Sequence, residues 1–378
     1  MFDLWRQVML IGQPNRIGKL LYPLIVAVAL ATLSACSSGS SDSMGAAGAV
    51  AMPGPTGALE QSTITVEAVP TADEAGLYIA SDLGYFAQEG LTVKIAPTGG
   101  GELAIPDLTG GKANLVAGNY VSFIQAQISR KADLRIIANG SLMQPGNQAV
   151  YVLPGSKIKT VADLASHRGG HKAKIGVNTL NNIGQLLIGS LLQDQGYALS
   201  DVSLTPPAGK GNPFALLLSE LAGGQIDAAW LPEPFATIAQ QSLGAVKLAD
   251  FDQGSMENFP IGTYIGTAQW VTSHPNTIAA FLRALQKGQQ KADTDRGQVE
   301  SSLIKNTMLP NGMKQDQASQ VAALMTLNSY PLIMDISTLQ RVSDSMFQFN
   351  LEPGLSKPYT ITSMIQWQPG TIGMSPPG

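Results

Sequence analysis

Thiol and imidazole chemistry is almost missing from this chain. Its 378 residues include one cysteine and three histidines, which excludes a disulfide framework and a thiolate-rich metal site. His167 and His171 stand four apart, but Gly169 and Gly170 lie between them. Glycines break the helix that would aim both imidazoles at one metal, so the pair reads as a loop. His274 precedes Pro275 at a helix start and has no sequence partner. No G-x-S-x-G elbow, Walker A loop or H-E-x-x-H helix occurs, and Gly99–Gly101 is only loosely like a phosphate cradle. The residues give no catalytic constellation and call for no cofactor or metal.

Polar loops between strands and helices carry the remaining chemistry. Five stand out: Thr71-Ala-Asp73-Glu74, Gly99-Gly100-Gly101-Glu102, Gly118-Asn119-Tyr120, Asn178-Thr179-Leu-Asn181-Asn182 and Trp230-Leu-Pro-Glu233-Pro234. In open α/β sheets ligands bind beyond the carboxyl ends of strands, where helix N-termini present free N–H groups. Each loop taken singly is an ordinary helix cap, because Asp, Asn and Thr are the usual N-cap residues. Five of them, drawn from two parts of the chain, predict a cleft. Tyr78 joins the candidates as a ring on the helix that follows Glu74.

The elements that would position these loops come in two runs. The first is predicted as strand 64–69, helix 74–83 closed by Gly84, strand 91–95, helix 102–108, strand 114–117, helix 120–129 and strand 134–138. The second is strand 174–177, helix 181–195, strand 202–205, helix 214–222 and strand 228–231. Such alternation predicts parallel strands with covering helices. The runs echo each other: Leu108-Thr-Gly-Gly-Lys-Ala-Asn114 and Leu221-Ala-Gly-Gly-Gln-Ile-Asp227 both read as helix end, glycine cap and strand start. Segments 148–153 and 262–271 flank the second run and are candidate crossovers between two α/β lobes. Beyond them Ile278, Phe281, Leu282 and Leu285 mark an amphipathic helix. Further helices are expected over 298–306, 314–328 and 336–349, with a loose tail from 368 to 378.

Composition agrees with a two-domain globular chain. Apolar residues are 44%, charged residues 13% and the net charge is −4, so a sizeable core is available and the basic footprint of a nucleic-acid binder is absent. Arg16 and Lys19 precede an uncharged run from Leu20 to Leu33 and then Leu33-Ser-Ala-Cys36. A basic n-region, a short apolar run and small residues read as a signal peptide over 1–35, too short for a comfortable span. Leu33–Cys36 resembles the lipobox of bacterial lipoproteins, in which the cysteine is acylated and becomes the N-terminus. An ordinary signal peptide with an incidental thiol is the alternative. The long n-region also allows a start downstream of Met1. Residues 36–62, rich in Ser, Gly, Ala and Pro, read as a flexible tether.

The chain is identified as similar to the NitT/TauT substrate-binding proteins of ABC importers. The motifs are Ala75-Gly-Leu-Tyr-Ile-Ala80, Gly84-Tyr-Phe, Glu89-Gly-Leu-Thr-Val93, Ile158-Lys-Thr-Val-Ala-Asp-Leu164, Asn178–Asn182 and Gly224-Gln-Ile-Asp-Ala-Ala-Trp-Leu-Pro-Glu-Pro-Phe235. They span about residues 63–292 in a specific order. The resemblance implies a type II periplasmic-binding-protein fold, with lobe 1 at 63–148 and 262–367 and lobe 2 at 149–261. It further implies a small-molecule solute, an ABC permease as partner and a monomer; the lipobox adds a lipid anchor at Cys36 on the outer face of the cell membrane. One departure is Asn114, where the family commonly has Asp, while Asp227 keeps it.

The cleft loops carry Asp73, Glu74, Glu102 and Glu233 but no arginine, and Lys112 is predicted at the far end of its strand. Anions are usually met by Arg or by several N–H groups. Trp230, Tyr78 and Tyr120 would flank a flat ring or an amine, and Glu233 would pair with an aminopyrimidine edge. The expected solute is therefore heteroaromatic or amine-bearing, such as a thiamine pyrimidine precursor. A small anion (nitrate, alkanesulfonate or taurine) bound by helix N-termini is the alternative, as is a tethered sensor without transport. The superfamily also includes a suicidal pyrimidine synthase. Its cysteine-rich motif and cleft histidine have no counterpart here.

Overall fold

The computed structural model describes residues 57–365, apart from 167–169, 333–335 and 353. Cys36, the expected signal peptide, His167 and the tail lie outside the described residues. Two five-stranded sheets organise the chain. The first contains β1 (Thr63–Ala68), β2 (Thr92–Pro97), β3 (Leu115–Asn119), β4 (Leu134–Leu142) and β10 (Pro260–Thr267), in the order β2-β1-β3-β10-β4. The second contains β5 (Gln148–Val152), β6 (Lys174–Gly176), β7 (Ser203–Thr205), β8 (Ala228–Pro232) and β9 (Val246–Asp250), in the order β7-β6-β8-β5-β9. This is the two-lobe α/β architecture of the type II fold.

Alternating helices and strands make β1, β2 and β3 parallel, and likewise β6, β7 and β8. The sheets are nevertheless mixed, which corrects the all-parallel expectation. β10 runs antiparallel between β3 and β4, and β5 runs antiparallel between β8 and β9. A strand that arrives from the opposite lobe enters its sheet from the reverse direction. Segments 148–153 and 262–271 are thus largely central strands. The chain crosses between lobes just before each of them, at 143–147 and 251–259.

The repeated Gly-Gly sequence has a structural cause. Gly111 (φ 74°) and Gly224 (φ 66°) take left-handed conformations that end the Gly101–Thr109 and Pro213–Ala222 helices. Three residues later, Asn114 Oδ1 accepts the Thr65 N–H at 2.9 Å, and Asp227 Oδ2 accepts the Lys174 N–H at 2.8 Å. Asn and Asp therefore do the same work, joining the start of one strand to its neighbour.

The C-terminal helices close over the first sheet. The Pro275–Thr294 helix crosses the Ala75–Asp82 helix at Gly288 and Gly76, where a Cβ on Gly288 would overlap the Gly76 carbonyl. Glu60 binds the start of the longer helix, accepting from Asn276 N at 3.1 Å and Thr277 N at 2.9 Å. Ordered attachment therefore begins before Ser62, which corrects the end expected for the tether. A carboxylate at a helix N-terminus is stabilised there by the free N–H groups.

Removing the Asn114 acceptor strands a backbone donor, so Asn114→Ala should cost about 1–2 kcal/mol while Asn114→Asp costs far less. Urea unfolding of both variants measures this; equal losses would contradict the shared role with Asp227.

Candidate functional site

The carboxyl ends of β1, β3, β6 and β8 meet across a seam between the lobes. Val69, Thr71, Asp73 and Glu74 approach from the turn after β1, Gly100 from the start of the Gly101–Thr109 helix, and Gly118 and Asn119 from the end of β3. Lobe 2 contributes Gln148, Asn178, Ile183, Phe214, Trp230 and Pro232. These residues line a cavity of about 30 Å³, room for about two water-sized groups.

Hydrogen bonds between the lobes bridge the seam on two sides of the cavity. On one side Ala72 N–H donates to the Glu233 carbonyl at 2.9 Å. On the other, Asn182 Nδ2 donates to Ser122 Oγ at 3.0 Å, and Gln125 Nε2 to the Asn181 carbonyl at 2.6 Å. Ser122 Oγ in turn donates to Glu102 Oε2 at 3.0 Å. The structure is a closed cleft.

Asp73 is held by three donors: Thr71 Oγ1 at 3.0 Å, Ser141 Oγ at 3.3 Å and Asn328 Nδ2 at 2.7 Å. Burial still raises its pKa against those bonds. Glu74 is 1% exposed; no hydrogen bond of good geometry reaches its Oε2, and the Tyr264 hydroxyl, itself buried without another partner, is the donor near enough to act on it. Burial, followed by the charge of Asp73, pushes the Glu74 carboxyl well above its ordinary range. From lobe 2, Asn178 Oδ1 is likewise buried without a partner. Trp230 stands edge-on to Phe214 at 5.5 Å, and its Nε1 donates to Gln148 Oε1 at 3.1 Å. Among the described residues, no Lys, Arg or His lines the cavity.

Of the expected site residues, the structure gathers Asp73, Glu74, Gly100, Asn119, Asn178 and Trp230 at the cavity. Asn119 also caps its helix, accepting Ser122 N–H at 3.0 Å. Five others are corrected. Tyr78 is a buried core ring one helical turn past Glu74, and Tyr120 turns inward to donate to Asn139 Oδ1 at 2.9 Å. The chain bends through 178–182 and carries Thr179 and Asn181 off the cavity; Asn181 takes a left-handed φ of 53°. On β8 alternate residues face the same way, so Trp230 and Pro232 meet the cavity and Glu233 does not. Lys112 lies before β3, far from the cleft end, and pairs with Asp107 at 2.9 Å.

Residues 71–295 match the family described as NMT1/THI5 like. The chain belongs to that family. The match covers more than half of the sequence and opens at Thr71, the first residue of the acidic turn. A curated relative is YtlA of Bacillus subtilis (strain 168), which carries the name of a binding protein. It is 22% identical over 237 residues, covering 61% of this chain and 66% of YtlA. The alkanesulfonate-binding protein SsuA from Xanthomonas axonopodis pv. citri has the same fold at TM-score 0.64 and 17% identity, covering 81% of this chain and 99% of that one. The nitrate-binding protein NrtA from Synechocystis PCC 6803 gives TM-score 0.55 and 15% identity over 66% of each chain. Likeness at this level establishes the fold.

Several members of the site were missed in the sequence. Gln148 sits within the apolar strand β5, so one polar residue in a wholly buried run was a usable signal. Ser141 and Asn328 gave none, because Asn328 is 255 residues from Asp73. Phe214 reads as core from its spacing alone.

Glu233 serves the seam from behind. Its carboxylate accepts from Thr237 N at 3.0 Å, Thr237 Oγ1 at 2.8 Å and Thr326 N at 3.2 Å. Burial outweighs these bonds and raises its pKa to about 7 from 4.5. A raised folded-state value gives stability that is complete below pH 4.5 and is lost as pH rises toward 7, about 3 kcal/mol for this group. Urea unfolding from pH 5 to pH 8 should show falling stability in the wild type and a shallower fall in Glu233→Gln, whatever that variant's absolute stability. An unchanged slope would contradict the assignment.

Proposed function

We propose that this chain is the extracytoplasmic solute-binding component of an ABC importer. Its two lobes, 63–148 with 262–367 and 149–261, open to admit a small solute and close around it. The closed form then docks on a membrane permease. Cys36, once acylated, would anchor a monomer to the membrane through the residues that precede the Glu60 attachment. Binding rather than catalysis is supported by the similar proteins named above, which are called binding proteins.

The observation that carries this reading is the cavity itself, lined from both lobes and bridged by hydrogen bonds between them. A ligand that touches both lobes stabilises closure by its differential affinity for the closed state. The solute favoured by the lining is amine-bearing or heteroaromatic. Two carboxylates and an indole face a space without any cationic side chain, the reverse of what an anion needs. The relatives named for sulfonate and nitrate place the anion alternative in the same assay.

Thermal shift on the chain from Ser37 onward tests the reading, with primary amines, aminopyrimidines, alkanesulfonates, taurine and nitrate added singly. A solute at 100 times its Kd stabilises by about 2.7 kcal/mol, a clear rise in Tm. Amines or aminopyrimidines are expected to give it. Loss of stabilisation by every class would overturn the binding reading. Trp230 is 3% exposed and packed on Phe214, so Trp230→Ala would confound binding with a core cavity costing about 3–5 kcal/mol. Asn178→Ala is the cleaner probe, and about a tenfold loss of affinity is expected from it.

A further inference from the structure

Glu74 presents a charge problem that its own protein does not solve. Glu74 lines the cavity and is 1% exposed, and no hydrogen bond of good geometry reaches its Oε2. The titratable groups around it are Asp73, Tyr78, Tyr264 and Tyr330; the Tyr264 hydroxyl, buried and otherwise unpartnered, is a neutral donor toward it, and none of the four can supply positive charge. Its neighbour Asp73 is saturated by Thr71, Ser141 and Asn328 and so is not a free acceptor. From lobe 2, Asn178 also lines the cavity, and its Oδ1 is a second buried acceptor without a donor. Buried acceptors in native structures find partners, and each one left unmade costs about 1–3 kcal/mol. Here two of them, one from each lobe, line the same small cavity.

We propose that Glu74 is the anchor for a positively charged nitrogen of the solute, and that Asn178 accepts a second N–H from the same head group. The ligand class is an organic cation with donors on two sides, such as an amidinium, a protonated amine or an aminopyrimidinium. This rests on the solute-binding reading above and narrows it. A cation at Glu74 lets a carboxyl that burial holds toward its neutral form ionise within an ion pair, and a donor shared with Asn178 ties lobe 1 to lobe 2. Recognition and closure are then one event. The cavity's about 30 Å³ suits a compact head group, while any larger part of the solute would hold the lobes further apart.

Acetamidinium, acetamide and acetate have nearly the same shape and differ in charge, so they isolate this claim. Each is added as a matched salt or neutral solute, at equal ionic strength, to the chain from Ser37 onward, and affinity is read from the rise in Tm. Acetamidinium should bind at least about tenfold more tightly than acetamide, as expected for a charge-assisted bond, and acetate should give no rise. In Glu74→Gln the preference of amidinium over amide should fall to within a factor of about two or three. Asn178→Ala should weaken acetamidinium while keeping its advantage over acetate. Acetate binding as well as acetamidinium, or stabilisation by nitrate or a sulfonate alone, overturns the cation proposal and leaves the solute-binding reading standing. Silence of this series and of the whole nutrient panel overturns both. The wild-type charge series decides the matter even if Glu74→Gln fails to fold.

Discussion

Two adjacent carboxylates at the seam of two lobes set the terms for the rest of this structure. Taking a charge out of water is expensive unless it is paired or neutralised, and this chain treats the two in opposite ways. Asp73 is surrounded by hydroxyl and amide donors collected from distant parts of the sequence. Glu74 is left with an unmade bond and a carboxyl pushed toward its neutral form. A group kept this way destabilises the ligand-free protein and becomes an asset only when something binds it. Such local inconsistency is what a functional site looks like when each other level of the fold agrees with its neighbours.

Topology explains why the carboxylates stand where they do. β1 ends at Ala68 and the chain turns at once into the Ala75–Asp82 helix, so residues 69–74 must lie at the carboxyl edge of the first sheet. The second sheet presents β6 and β8 ends to the same gap. The C-terminal segment then supports both lobes. Asn328 reaches Asp73, Thr326 reaches Glu233, and Gln348 Nε2 donates to Gln193 Oε1 at 2.8 Å on a lobe 2 helix. Phe349 lies against Gly189 of that helix, where any side chain would collide with the ring. Closure is therefore distributed over the seam, the rear of the cleft and the C-terminal helices.

Much of this was legible because hydrophobic spacing and glycine caps are local signals. The strands at 64, 92, 115, 174, 203 and 228 follow from runs of apolar residues between glycines, and the paired Gly-Gly ends predicted two similar lobes. β9 was missed: its five residues are half exposed, with Lys247 breaking the apolar run. The antiparallel entries of β5 and β10 depend on where the chain comes from, which periodicity does not report. At the cavity, residue type was enough to anticipate that Asp73, Glu74 and Asn178 line it. It failed for Tyr78, Tyr120 and Glu233, since a side chain's direction depends on its element's packing. Tyr78 faces the core because its helix packs there, and Glu233 turns from the cavity because β8 alternates.

The central claim is that Glu74, held toward its neutral form by burial, ionises when a cation binds beside it. Carbon-13 NMR of its side-chain carboxyl reads this directly, with Glu74→Gln assigning the resonance. In ligand-free protein the carboxyl should titrate well above the ordinary glutamate range, and acetamidinium chloride should bring it down toward that range. A carboxyl that titrates as an ordinary glutamate without ligand, and does not move when the cation is added, would contradict the account.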